Sequence, residues 1–371
     1  MKLTSVVRLQ PTDHQYKLLL ATLEAANAAC NAISDTAWEV KQFGRVPVHR
    51  LTYAGIREAF NLTAQLAVRC IGKVVDAYKL DKNSKRVFNL HGAVPYDSRI
   101  LAWKIADKRV SIWTLAGRET IPFACSQHHY ELLKYQRGES DLVYRKGKWF
   151  LYTTCEVPED TPMEVESFLG VDLGIANIAV TSDNLFYQGK TVKSVRYRHR
   201  RLRAKLQKKG TKSAKRRLKR LSGKERRFAS DVNHCISKRI VQTAKDTGRG
   251  IALENLKGIS FRVTVRRSQR TVLKSWAFND LQQKITYKAK LVGIPVVLVD
   301  PCNSSRTCPA CGHVDKANRP AQDKFLCTQC GRAGHADYFA SVEISRRAAV
   351  NPPNTVHVLG EIPAATASLR L

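Results

Sequence analysis

Acidic residues are scarce in this chain: 31 Asp and Glu stand against 63 Lys and Arg, a formal net charge of +32 over 371 residues. That imbalance exceeds what solubility requires and points to a polyanionic partner, because so many like charges repel one another until something neutralises them. Long apolar runs are missing too. No stretch reaches the roughly 18 apolar residues that would cross a bilayer, and no lipidation motif is present. The opening Met1-Lys-Leu-Thr-Ser-Val-Val-Arg-Leu9 is too short in its apolar part, and too charged, to read as a secretory signal. These absences exclude a membrane protein and favour nucleic acid over a membrane surface as the partner. Cysteine is not lacking, with ten in all. Cys30, Cys70, Cys125, Cys155, Cys235 and Cys302 are scattered singly, mostly among apolar neighbours, and read as reduced core thiols. With no export signal, a reducing, cytoplasmic setting is expected.

What is present is organised around Phe168-Leu-Gly-Val-Asp-Leu-Gly-Ile-Ala-Asn-Ile-Ala-Val180. It predicts a buried strand ending in one carboxylate, Asp172, then a turn at Gly174 and a returning strand. A buried carboxylate requires a partner, and a cation is the natural one. The pattern recurs: Gly250-Ile-Ala-Leu-Glu-Asn-Leu256 is a short apolar strand carrying Glu254, and Gly334–Ile344 opens a helix with Asp337 in its first turn. Three carboxylates on three core elements can converge, and hard oxygen ligands suit Mg²⁺ or Mn²⁺. Two such ions, about 3.5–4 Å apart, stabilise both the attacking and the leaving oxygen of a phosphodiester.

Upstream, Leu3–Leu9 alternates as a strand closed by Pro11, and Thr12 with Gln15 forms a capping box. Leu19, Leu23, Ala26, Cys30, Ile33 and Ala37 then recur at helical spacing, as do Leu66, Cys70, Val74 and Tyr78 after Asn61. Lys41–Arg50 and Asp81–Pro95 carry the Gly, Pro and Asn of loops. Short alternating strands follow at Arg109–Leu115, Asp141–Arg145 and Lys148–Val157, with a hairpin turn at Arg145-Lys-Gly-Lys148. The triplet His128-His-Tyr130 invites a catalytic reading, but it lacks the alternation that strand-borne metal ligands need and is expected to be an ordinary loop. The polar, proline-bearing Pro158–Glu166 marks a domain boundary.

Residues 190–227 hold 19 Lys and Arg and a single acid, Glu225. Leu202, Leu206, Leu218 and Leu221 recur at helical spacing, with Gly210-Thr-Lys-Ser213 as the turn between two helices. Arg198, Arg200, Arg201, Arg203, Lys205, Lys208, Lys209, Lys212, Lys215, Arg216, Arg217, Lys219 and Arg220 are the candidate phosphate-gripping residues. Tyr197 is the only aromatic in the run, so contact with backbone rather than base stacking is expected. Helices over Asp231–Thr247 and Ser275–Val292 alternate with the Glu254 strand and the apolar Gly293–Asp300, as in an α/β layer. Cys308-Pro-Ala-Cys311 and Cys327-Thr-Gln-Cys330 then form two knuckles with the spacing of a four-cysteine zinc ribbon. Four thiolates leave no open position, so one structural Zn²⁺ is expected.

The order of acid, acid, zinc knuckles and acid resembles the RuvC-type nuclease of the transposon-encoded TnpB (OrfB) proteins, relatives of the type V CRISPR effectors. Gly170-Val-Asp-Leu-Gly174, Leu253-Glu-Asn-Leu256, Cys308-Pro-Ala-Cys-Gly-His313, Cys327-Thr-Gln-Cys-Gly331 and His335-Ala-Asp-Tyr-Phe-Ala340 carry the resemblance. Trp276-Ala-Phe278 and Gly293-Ile-Pro295 add to it, and the match covers about 165–347. One departure is visible: Phe339 stands where the family pattern places Asn.

The resemblance implies a multidomain α/β protein. A RuvC (RNase H-like) nuclease domain would span 165–305 and 332–347, with a zinc ribbon inserted at 306–331. A wedge β-barrel over 1–10 and 99–160 would be interrupted by a helical recognition insert, 11–98, and 348–371 would form a disordered tail. Asp172, Glu254 and Asp337 would be the catalytic, Mg²⁺-binding triad. The partners implied are a guide RNA and a double-stranded DNA target beside a short motif, bound by a monomer or by a dimer on one RNA in a prokaryotic cytoplasm. A miniature type V CRISPR effector, a guided binder that does not cut, and an unguided nuclease or transposase are the alternatives.

Overall fold

The computed structural model describes residues 1–256 and 278–350. Trp276 and most of the expected tail therefore lie outside the described residues. The chain divides into two compact units, Met1–Pro158 and Glu159–Leu371.

The first unit opens with β1 (Lys2–Leu9) and continues into α1 (Asp13–Glu39), α2 (Arg45–Phe60) and α3 (Ala64–Leu80). The Thr12 capping box is made in full: Thr12 Oγ1 accepts from Gln15 N, and Gln15 Oε1 accepts from Thr12 N. Helix α2 begins inside the segment expected to be a loop. Gly44 stands at its cap and Pro47 falls in its first turn, where the missing N–H had no helical partner to lose. The rest of the unit is β2 (Val94–Tyr96), β3 (Leu101–Lys104), β4 (Arg109–Thr114), β5 (Gly117–Ala124), α4 (Gln127–Leu133), β6 (Gln136–Arg145) and β7 (Lys148–Glu156). Its strands form one antiparallel sheet in the order β2-β6-β7-β1-β5-β4-β3, a near-barrel with β2 and β3 at its two ends. Lys146 and Gly147, both at positive φ, make the expected two-residue turn between β6 and β7.

His128, His129 and Tyr130 lie on α4 rather than in a loop, because Ser126 caps that helix by accepting from His129 N. His129 Nδ1 accepts from Val6 N, so this ring fastens the helix to β1. Leu19, Leu23, Ile33, Ile71 and Val74 from the helices share a single apolar core with Val7, Ile112, Ile121, Leu142 and Leu151 from the sheet.

In the second unit, β8 (Phe168–Asp172) hairpins into β9 (Asn177–Thr181) and β10 (Phe186–Gln188). Helices α5 (Lys190–Lys209), α6 (Lys212–Leu221) and α7 (Lys224–Asp246) lead to β11 (Gly250–Glu254). After α8 (Phe278–Leu291) and β12 (Val296–Val299) comes the cysteine segment with β13 (Lys324–Leu326) and β14 (Ala333–His335), and then α9 (Ala336–Val350). The sheet order is β10-β9-β8-β11-β12, antiparallel on the β10 side and parallel from β8 to β12.

Strand alternation assigns the two faces of this sheet. Leu169 and Val171 of β8, with Ile251 and Leu253 of β11, pack against Ile236, Ile240 and Ala244 of α7 and Leu281 and Ile285 of α8. Phe168 and Ala252 face the other way, against Ile344 and Ala348 of α9. Asp172 and Glu254 are in phase with that second face. Gly170 lets α9 press onto it, since a Cβ there would stand 2.0 Å from Ser341 O and 2.7 Å from Ser345 N. Ser345 Oγ also donates to Phe168 O at 2.6 Å.

Candidate carboxylate site and cysteine module

Asp172 and Glu254 are the last residues of adjacent parallel strands, the end of an open α/β sheet at which ligands gather. The register pairs Val171 with Leu253, and its continuation sets Asp172 beside Glu254. Asp337, in the first turn of α9, is brought over the same edge by the Gly170 contact. Its carboxylate lies at the helix's positive end, and His335 Nδ1 accepts from its backbone N–H at 3.2 Å.

Asp172 feels the other two acids. Burial pushes the Asp172 carboxyl well above its ordinary value, and the charges of Glu254 and then Asp337 push it further, against the pull of Arg319 and of the Leu173 N–H. Glu254, only 7% exposed, is raised by burial and by Asp300, opposed by a hydrogen bond from Ser304 and by Arg347. Ser304 Oγ donates to Glu254 Oε1 at 2.5 Å. Asp337 accepts from Asn177 Nδ2 at Oδ2 (2.9 Å) and from Arg319 Nη2 at Oδ1 (3.2 Å). Asp172 and Glu254, held at this edge at a cost to their ionisation and joined by Asp337, are a donor set that a divalent cation relieves, and their all-oxygen chemistry fits Mg²⁺ or Mn²⁺.

Asn177, Ser304 and Arg319 escaped the sequence reading. Asn177 had a faint signal, as a polar residue opening an otherwise apolar strand. The other two lie in irregular segments where no periodicity points to a site. Phe339 is turned into the cysteine module: it is 6% exposed, and its ring stacks on Phe325 at 4.7 Å and 9°.

The cysteines do converge. Cys308, Cys311, Cys327 and Cys330 bring their sulfurs within 4.8 Å of one another, and no other cluster of three or more candidate ligands is that tight among the described residues. The Cys308–Cys330 and Cys311–Cys327 sulfur separations are 3.7 and 3.6 Å. They match the edge of about 3.8 Å that a tetrahedron with Zn–S of about 2.3 Å requires. Backbone N–H groups of Cys330 and Gln329 help bring the Cys327 thiol down to about 6, while burial and the neighbouring sulfurs push Cys311 the other way, to about 12.

All thirteen candidate phosphate-gripping residues on α5 and α6 are exposed. Gly210 ends α5 at φ 63°, and Thr211 caps α6 by accepting from Ala214 N. Glu225 holds Arg196 and Arg203 at 3.1 and 3.0 Å. The surrounding positive charge has few acids to offset it.

Known proteins resemble this chain. The family model described as "Probable transposase" matches residues 152–258, and the one described as "Cas12f1-like, TNB domain" matches 278–344. A TnpB-like protein of Methanocaldococcus jannaschii is 30% identical over 200 residues, which are 50% of this chain and 70% of that protein. The chain belongs to the TnpB family. A CRISPR-associated endodeoxyribonuclease Cas12f1 of Syntrophomonas palmitatica is 33% identical over 226 residues, 56% of this chain but 44% of the relative. The chain thus spans about half the length of the Cas12f relatives it matches. The fold likeness reaches further: a cryo-EM structure of a Cas12f1–sgRNA–target DNA complex superposes with a TM-score of 0.60 at 16% identity, over 88% of this chain and 82% of that one.

Proposed function

We propose that this chain is an RNA-guided DNA endonuclease that cuts a DNA target beside a short motif. The observation that carries the reading is the meeting of Asp172, Glu254 and Asp337 on one sheet edge, where burial, and the charges of the other two acids on Asp172, call for divalent cations. In this reading 165–305 and 332–347 form a RuvC-like nuclease with a zinc ribbon at 306–331. The near-barrel and its helices would hold guide RNA and read the motif.

Two Mg²⁺ or Mn²⁺ ions at these acids would supply an activated water and a stabilised leaving oxygen for in-line hydrolysis. The protein's own part is positioning. Ser304 fixes one oxygen of Glu254, and α9 holds Asp337 over the strand ends. Asp172 would hold such an ion as the carboxylate, the form that burial disfavours and a cation stabilises. The exposed lysines and arginines of α5 and α6 would grip phosphates without reading bases, leaving sequence choice to guide pairing.

The test is to sequence RNA that copurifies with the protein from its native locus, then assay Mg²⁺-dependent cutting of matching DNA by wild type and Asp172→Ala. One abundant RNA, retained by a variant that no longer cuts, is the expected result. No enriched RNA, or loss of RNA and cutting together, would overturn the proposal.

A further inference from the structure

Asp337 is held by two unlike groups. Arg319 reaches Oδ1 from the cysteine module and shares its guanidinium with Gln322 O at 2.7 Å. Asn177 reaches Oδ2 from the sheet. A guanidinium repels any cation that arrives at the same carboxylate. A neutral amide does not, and its N–H occupies one lone-pair direction of Oδ2 while leaving the others open.

The backbone under Asn177 is fixed on three sides. It opens β9, and its carbonyl packs so closely over Gly174 that a Cβ there would stand 2.8 Å away. Gly189 N donates to Ala176 O at 2.9 Å. A bulge between Tyr187 and Gln188 sets Gln188 opposite Asn177, an irregularity of the kind that re-aims a side chain next to a site. The amide is therefore presented from a rigid strand to a carboxylate 160 residues away in sequence.

We propose that Asn177 is a positioning residue: its side-chain amide orients the Asp337 carboxylate as a ligand, and so sets the affinity of the site for divalent cation. The inference rests on reading the three acids as a cation site. Partners of this kind, hydrogen-bonded to a ligating carboxylate, are worth about 10–100-fold in metal affinity or activity.

The experiment titrates Mn²⁺ into the full-length, zinc-loaded chain, with free Mn²⁺ followed by electron paramagnetic resonance and Tm recorded in parallel. Asn177→Leu keeps the shape and removes the amide. It should weaken Mn²⁺ binding about tenfold and leave the Tm of the Mn²⁺-free chain within a few degrees of wild type. In an Asp337→Ala background the same substitution should change nothing further, because the group it orients is gone. Asn177→Ala provides the same readout should the leucine variant fail to fold. Wild-type Mn²⁺ affinity in Asn177→Leu, or equal losses in both backgrounds, would overturn the inference alone. Mn²⁺ uptake that is also indifferent to Asp172→Ala would overturn the cation site and this inference with it.

Discussion

Replacing Gly170 by Ala tests whether the packing of α9 on β8 builds the site. The new Cβ would stand 2.0 Å from Ser341 O, 2.7 Å from Ser345 N and 2.9 Å from Ser345 Cβ. Two of those atoms are helix backbone, so no rotamer change relieves the clash. The helix must retreat by about 1 Å to bring the shortest contact to the 3.0 Å that real Cβ atoms respect. Overpacking of this kind costs about 1–3 kcal/mol, and for a unit of this size each kcal/mol lowers Tm by about 2–4 °C. A fall of roughly 2–12 °C is therefore expected. Asp172 lies two residues beyond Gly170, and Asp337 rides on the displaced helix. A misplacement near 1 Å costs on the order of 100-fold in rate, so cleavage by the RNA-loaded protein should fall about that far. Gly72→Ala is the control, since nothing lies within 4 Å of its added methyl group and both readouts should hold or improve. Wild-type Tm in Gly170→Ala would refute the packing argument. A lowered Tm with an unchanged cleavage rate would refute the link from packing to site.

Two further outcomes follow from the charges and the thiols. Without added divalent cation, folded Asp172 keeps its proton to a higher pH than the unfolded chain, whose value is near 3.8. The native state thus binds more protons between those two values, and stability falls as pH rises from about 4 through the raised native value. Asp172→Asn escapes that penalty, so it should melt above wild type at pH 8, with the gap closing toward pH 4. A gap independent of pH would contradict the assignment. The protein should release one equivalent of zinc to a chromogenic chelator after thiol modification. Cys330→Ser should release less and cleave about tenfold more slowly, because a loosened module withdraws the support that Phe325 gives Phe339 of α9 and so misplaces Asp337. Full activity in a zinc-free Cys330→Ser protein would break the connection between module and helix.

Much of the second unit was legible because its signals are local. Phe168–Asp172 and Gly250–Glu254 are short apolar runs ending in an acid, and each folds as the strand that its composition suggests. Gly210 and Thr211 mark the α5–α6 break by their own conformational preferences. Helix α2 was missed because Gly44 and Pro47 read as loop residues when they in fact begin a helix. Strand β5 was missed although it pairs with β4 along Arg109–Thr114, since Gly117 and Pro122 within it weaken its alternation. The partners of the acids were invisible for a different reason. Asn177 and Asp337 are joined only by the fold, as are Ser304 and Glu254, and no spacing in the sequence encodes a hydrogen bond across such distances.

The place of the cysteine module in the chain also sets an order of events. Asp172 and Glu254 are synthesised first, but α9 follows β13 and β14 directly, and its first residue is tied back to the module through Ala336 N and Asp323 O at 3.0 Å. The last acid therefore stands on a helix whose start is pinned by the cysteine segment, whose four sulfurs lie within 4.8 Å of one another. A nascent chain thus carries an incomplete set of acids until α9 docks. A chain made only as far as Glu254 holds two of the three acids, and the third arrives after the cysteine segment that precedes α9.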